Sequence, residues 1–245
     1  MANSYFQFKQ FTIHQDRSTL KVSTDSCIFG AWVAAKVSSE WSVVSGGASR
    51  ALDIGAGTGL LMLMLAQQWS GSVDGIEMDQ SSFEQAGENI QASPWAGRLR
   101  VFMGDVQSAA LPAPYDLIIS NPPFYEGDLT SPSAHKNLAK HDAGLTLEAL
   151  LEAVDRHSAA NGRLAVLLPR RRTDYFRQLA AARGWQPVNE LQIRQTPLHT
   201  FFRAALLLQR NYTGAAETET LTIHTTERTY TAEMEALLKT YYLYL

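Results

Sequence analysis

Apolar and polar positions fall into alternating blocks of strand and helix length along this 245-residue chain. A short apolar run over Arg50–Ile54, then glycines, then "LLMLMLAQQW" predicts a strand, a tight loop and a helix from about Leu60. "SVDGIEMD" (72–79) reads as a second strand and "QSSFEQAGENIQA" (80–92) as a second helix. "LRVFMGDV" (99–106) and "YDLIIS" (115–120) are the third and fourth strands. "LTLEALLEAVDRHSA" (145–159) carries apolar residues at helical spacing, "GRLAVLLP" (162–169) is a fifth strand, and "RTDYFRQLAAARG" (172–184) is a helix ended by Gly184. "VNELQIRQ" (188–195) and "TFFRAALLLQR" (200–210) are close enough to form a hairpin. The tail reads as a polar strand, "ETLTIHTT" (219–226), and a helix over "TAEMEALLKTYYLYL" (231–245).

Strands alternating with helices build a mostly parallel sheet covered on both faces. The pattern predicts one α/β domain with a seven-stranded sheet, in which the late hairpin adds an antiparallel strand. It divides into an N-terminal segment (1–48), a core (49–210) and a C-terminal extension (211–245). Residues 126–144 break the alternation; a stretch of that length without period reads as a functional lid or a disordered loop.

Composition narrows the setting. Hydrophobic residues make up 45% of the chain, enough for a substantial core. The single cysteine, Cys27, excludes an internal disulfide and a multi-cysteine metal site, so no metal is expected and a reducing compartment is the simple reading. No basic start followed by an apolar block is present, and no run approaches the roughly 20 apolar residues of a membrane span. A cytoplasmic protein with no membrane partner is expected, and the oligomeric state is not legible. Net charge is −3, which argues against a generic nucleic-acid coat. Charge is uneven, however: Arg156 to Arg194 holds eight arginines against Asp174 and Glu190, and the first 21 residues hold Lys9, Arg17 and Lys21 against Asp16. Local basic faces can bind a polyanion on a mildly acidic protein.

Two motifs carry candidate chemistry. In "LDIGAGTG", Gly55, Gly57 and Gly59 sit between a strand and a helix, where glycine permits positive φ and close approach of a ligand to the backbone. Asp53 precedes them; a carboxylate there repels a pyrophosphate but suits an ammonium or sulfonium, and S-adenosylmethionine (AdoMet) carries both. Glu77, with Met78 after it, ends the second strand, where an acid can hold ribose hydroxyls. Asp105, with Val106 after it, ends the third and can accept from an adenine amine. The second motif is "NPPF", Asn121, Pro122, Pro123 and Phe124, at the end of the fourth strand. The Asn121 side-chain oxygen and the Pro122 carbonyl can each accept an N–H from an exocyclic amine on a flat group, drawing electron density onto nitrogen. Phe124 can stack on the ring. Catalysis of this kind is positioning and electrostatics, and it requires no strong general base.

Asp53–Gly59 together with "NPPF" resembles the class I AdoMet-dependent amino-methyltransferases, which implies a Rossmann-like fold. "FQFKQFTIHQDRSTLKVSTDSCIFGAWV", Phe6 to Val33, resembles the N-terminal signature of the bacterial tRNA(Val) adenine-N6 methyltransferases. The tail is similar as well, so the resemblance spans nearly the whole chain. It implies N6-methylation of the adenine immediately 3′ of the anticodon, with Thr24 and Asp25 near AdoMet. A Thr–Asp pair before an apolar stretch is also a good helix N-cap. The chain departs from the family pattern at Ser23 and Ser26, both glycine in that signature, and at Phe124, where tyrosine is commoner.

A stacked adenine has to be splayed out to react. Phe124 and Tyr125 are candidate stacking partners. Arg170, Arg171 and Arg172 follow the fifth strand, at the edge expected to hold the active site, and are the first choice for phosphate contacts. Lys136 and Lys140 come second, Lys9 and Arg17 third. The rival readings are a glutamine-amide protein methyltransferase, a DNA adenine methyltransferase, and a non-catalytic nucleotide-binding module. The glycine spacing and Asp53 disfavour an NAD-linked oxidoreductase.

Overall fold

The structure, a computed structural model, describes residues 3–41, 49–112, 114–122 and 145–245. In chain order the elements are β1 (Tyr5–Gln7), β2 (Thr12–His14), α1 (Thr24–Trp41), β3 (Arg50–Ile54), α2 (Leu60–Gln68), β4 (Ser72–Glu77) and α3 (Gln80–Gln91). There follow β5 (Leu99–Met103), β6 (Tyr115–Ser120), α4 (Leu147–His157), β7 (Ser158–Pro169), α5 (Thr173–Ala181), β8 (Trp185–Arg194), β9 (Arg203–Arg210), β10 (Glu217–Thr222) and α6 (Ala232–Leu238).

One sheet organises the molecule, in the order β10-β8-β9-β7-β6-β3-β4-β5. It is parallel except at β9, which runs against both β7 and β8. Successive residues of each strand point to opposite faces, so one apolar run feeds two cores. Ala51, Leu117, Ile119, Ala165 and Leu167 pack under α1, α2 and α6. Leu52, Ile118, Leu164, Val166 and Leu168 pack under α4 and α5. The covering on both faces explains why these strands read as continuous apolar runs. Gly30 lets α1 lie close on α2, since a Cβ there would sit 2.7 Å from Met64 Sδ.

The tail corrects the sequence reading. The sheet among the described residues has eight strands rather than seven, because β10 joins β8 in parallel, with Glu217 opposite Asn189. The expected boundary at residue 210 therefore cuts through the sheet. The tail helix is also shorter than expected and ends at Leu238. Tyr241 and Tyr242 beyond it are buried, and Tyr242 bridges Phe8 beside the β1–β2 hairpin. Burying two aromatic rings outweighs the modest helix propensity of the last turns.

Candidate functional site

The order around β3 places β4 on one side and β6 on the other, so the chain reverses its direction of winding at β3. Ligands bind such sheets in the crevice beyond the strand carboxyl ends at that point. Here the crevice is a cavity of about 260 Å3. Its walls include Gly55 and Gly57 after β3, Glu77 and Met78 after β4, Asp105 and Val106 after β5, and Asn121 and Pro122 after β6.

Gly55, Gly57 and Gly59 have φ of 76°, 56° and 79°, in the left-handed region. A Cβ on Gly55 would meet nothing within 4 Å, so backbone conformation rather than crowding calls for glycine there. The loop is pinned by hydrogen bonds from the Gly55 and Ala56 amides to Ile76 O, and from the Gly57 amide to Glu77 Oε2 at 2.8 Å. The other Glu77 oxygen accepts from the Met78 and Asp79 amides, each at 2.9 Å. Glu77 is thus fixed by three backbone donors, with lone pairs left for ligand hydroxyls. Asp105 closes a turn by accepting from the Gln107 amide at 2.9 Å. Asp79 caps α3 by accepting from the Ser82 amide at 2.8 Å, and these hydrogen bonds hold its carboxyl below the usual range. At the end of β6, Ser120 Oγ donates to Ile54 O at 2.8 Å and ties the asparagine-bearing turn to β3.

The wall is acidic. Glu77, Asp79 and Asp105 line it, and the described lining residues include no lysine, arginine or histidine. Asp53 lies fully buried on β3, and neither carboxylate oxygen has a hydrogen-bond partner among the described residues. Burial, and secondarily the nearby Glu77 charge, push its carboxyl up to about 8. Asn121 Oδ1 is likewise buried without a partner among the described residues. Acids without bases, with apolar Ile54, Ile76 and Val106 beside them, fit a ligand that carries positive charge, hydroxyl donors and a flat ring. AdoMet fits that description and a pyrophosphate does not.

The other expected residues are placed less directly. Thr24 and Asp25 open α1, and neither is among the described lining residues. The cap of α1 is Ser23 rather than Thr24, its Oγ accepting from the Ser26 amide at 3.4 Å. Asp25 instead pairs with Arg203, Oδ2 to Nε 2.8 Å. Lys9 donates to the carbonyl of Lys239, and Arg17 pairs with Glu84 at 3.7 Å and with Glu88. Both dock the N-terminal segment within the chain, a use the sequence reading did not assign them. Arg170, Arg171 and Arg172 form a single 3-10 turn directly after β7, at the carboxyl edge as expected; Arg170 lies 3.7 Å from Asp174 and Arg172 stands over the Tyr175 ring. Pro123, Phe124, Tyr125, Lys136 and Lys140 fall outside the described residues.

Sequence reasoning missed Thr19 and Leu20, which bring the N-terminal segment onto the cavity wall, as well as Gln107 and Leu145. Thr19 arrives there through contacts with Ser82 and Asp79, pairings some 60 positions apart with no local signature.

Comparison with known proteins agrees with this geometry. Residues 42–168 match the methyltransferase small domain family. A tRNA1(Val) (adenine(37)-N6)-methyltransferase of Tolumonas auensis is 39% identical over 245 residues, covering 99% of this chain and 98% of that protein. A Dyadobacter fermentans protein of the same name is 39% identical over 85% of this chain and 83% of its own length. Among solved structures, a predicted O-methyltransferase of Agrobacterium tumefaciens superposes with a TM-score of 0.63 at 16% identity, covering 87% of this chain and 95% of that one. The ribosomal protein L11 methylase of Lactobacillus delbrueckii subsp. bulgaricus gives 0.55 at 14% identity over 82% and 84%. At such identities these two speak for the Rossmann-like class I methyltransferase fold alone.

Proposed function

The chain belongs to the family of the tRNA1(Val) (adenine(37)-N6)-methyltransferases and is an AdoMet-dependent methyltransferase, and from that premise we propose that it methylates N6 of adenine 37 in the anticodon loop of valine tRNA. The observation that carries the reading is Asn121: a side-chain amide at the end of β6, on the wall of an acid-lined cavity, with a buried oxygen that lacks a donor among the described residues.

AdoMet, when bound, supplies an electrophilic methyl group on a sulfonium. Glu77 would hold the ribose hydroxyls, Asp105 would accept from the adenine amine, and Asp53, whose carboxyl burial pushes up to about 8, would be drawn toward its charged form by the cationic end. Asn121 Oδ1 and the Pro122 carbonyl would accept the two N–H groups of the target amine. Accepting both draws electron density onto a nitrogen whose lone pair is otherwise delocalised into the ring, and holds it in line for attack. Arg170, Arg171 and Arg172 would take the phosphates flanking the splayed base.

Methyl transfer from labelled AdoMet to total tRNA from cells lacking the protein tests the reading, with a release-factor protein as parallel acceptor. The expected outcome is N6-methyladenosine in valine tRNA after digestion to nucleosides. Label in the protein acceptor and none in tRNA keeps the chemistry and overturns the substrate.

A further inference from the structure

Asn121 reaches back 95 positions to α1, where its Nδ2 donates to Ser26 Oγ at 2.9 Å. Ser26 is itself buried, 8% exposed, and its Oγ lies 2.8 Å from Ser23 Oγ. Ser23 Oγ donates in turn to Asp25 Oδ1, and Asp25 Oδ2 accepts from Arg203 Nε at 2.8 Å.

The direction of every proton in this chain follows from its end. A carboxylate only accepts, so the Ser23 proton goes to Asp25. Ser23 Oγ is then an acceptor toward Ser26, and the one hydroxyl proton of Ser26 goes to Ser23. Ser26 Oγ is left as an acceptor toward Asn121. An amide facing an acceptor has to present its NH2. Its oxygen is therefore the end turned away from Ser26.

We infer that Ser26 is a positioning residue for methyl transfer: its hydroxyl, oriented from Asp25 through Ser23, fixes the Asn121 amide with the oxygen free for the substrate nitrogen. The inference rests on the reading that Asn121 Oδ1 receives the target amine. The two orientations of an asparagine amide have nearly the same shape, and the terminal torsion is roughly two-fold. Sterics alone do not choose between them. The wrong one points NH2 at an amine, donor against donor, and cannot draw density onto it. Without the Ser26 oxygen the competent orientation leaves its NH2 unpaired, and the preference for that orientation is lost.

The test measures methyl transfer to tRNA alongside AdoMet affinity by calorimetry. Ser26→Ala is expected to lower kcat about tenfold, the scale of one buried unpaired donor, with the AdoMet Kd within about twofold of wild type. Ser26→Thr keeps the hydroxyl and restores most of the rate, which loss of packing alone would not allow. Ser23→Ala leaves Ser26 in place but frees its proton to face Asn121 either way, and lowers kcat about threefold. Wild-type turnover in both alanine variants, with Asn121→Ala inactive, overturns the role of Ser26 while keeping that of Asn121. A Ser26→Thr variant as slow as Ser26→Ala does the same. An Asn121→Ala variant with unimpaired turnover overturns the underlying reading and this inference with it.

Discussion

The two halves of the sheet's carboxyl edge carry opposite charge. From β3 to β5 the strand ends present Glu77, Asp79 and Asp105 around a cavity with no basic residue among its described lining, while Asp53 is buried outside that lining. From β7 to β9 they present Arg170, Arg171, Arg172, Arg194 and Arg203, with Leu198 85% exposed in the β8–β9 loop. Asn121, on β6, stands between the two. On a chain with a net charge of only −3, acidic and arginine-rich strand ends thereby lie apart along one edge. Groups on the acidic side are short and fixed by backbone amides, as Glu77 is, so that site is formed before any ligand arrives. On the basic side, Arg170, Arg171 and Arg172 are long side chains on a turn with no buried residue, whereas Arg203 is held by Asp25.

The largest expected effect lies at the boundary. Asn121→Ala should lower kcat about a hundredfold to a thousandfold, as loss of a transition-state hydrogen-bond partner does, while AdoMet and tRNA each bind nearly as in wild type. Equal loss of both affinities would show that Asn121 is a structural bolt instead. Within the acidic half, Glu77→Gln should weaken AdoMet roughly tenfold to a hundredfold, the range for a hydrogen bond to a charged group. Binding of tRNA, followed by fluorescence anisotropy, should not change; a matching loss there would erase the division between the halves.

Within the basic half, replacing Arg170, Arg171 and Arg172 together by alanine should weaken tRNA about tenfold and make its salt dependence shallower, by close to one unit of slope for each phosphate no longer neutralised. Arg183→Ala is the control. That guanidinium is held by Asp155 at 3.0 Å and Glu152 at 3.2 Å, so its loss should leave tRNA affinity within about twofold. A separate effect concerns pH. Asp53 sits near 3.8 when exposed in the unfolded chain and near 8 when buried, so the folded state binds its proton more tightly. The ligand-free protein should therefore be relatively most stable below the lower value, lose stability as pH rises toward the upper one, and stay there above it. Thermal melts at acid and alkaline pH should show that slope in wild type and a flatter one in Asp53→Asn. A wild-type slope in the variant would mean another group is responsible.

The parallel core was legible because its strands are buried on both faces and stand as unbroken apolar runs between turn signals. Strands expected at Arg50–Ile54 and 115–120 lie where the pattern put them, and so does the glycine loop, whose residue type is dictated by φ. What stayed hidden depends on partners remote in sequence. Nothing local marks the Ser26–Asn121 contact or the arrival of Leu20 at the cavity. The arginine excess misled for the same reason. A window opening at Arg156 leaves out Glu152 and Asp155, the acids that pair with Arg183, and Arg177 is paired with Glu190. The strand β10 read as polar because it lies at the edge of the sheet, where only one side is paired.

The bridge between Phe8 and Tyr242 ties the assembly of the site to residues far along the chain. Lys9 hydrogen-bonds Tyr241 through its amide and Lys239 through its ammonium, groups about 230 positions apart. Phe8 itself stacks on Phe11 and lies against Tyr242. The segment clasped in this way goes on to supply Thr19 and Leu20 to the cavity and Ser26 to Asn121. The front of the site is thus fastened through residues about 230 positions along the chain. Closing so long a loop costs chain entropy that the buried aromatic contacts have to offset. Removing residues 239–245 should thus leave the sheet protected from amide exchange but abolish AdoMet binding, so that a chain without this clasp can fold without becoming an enzyme.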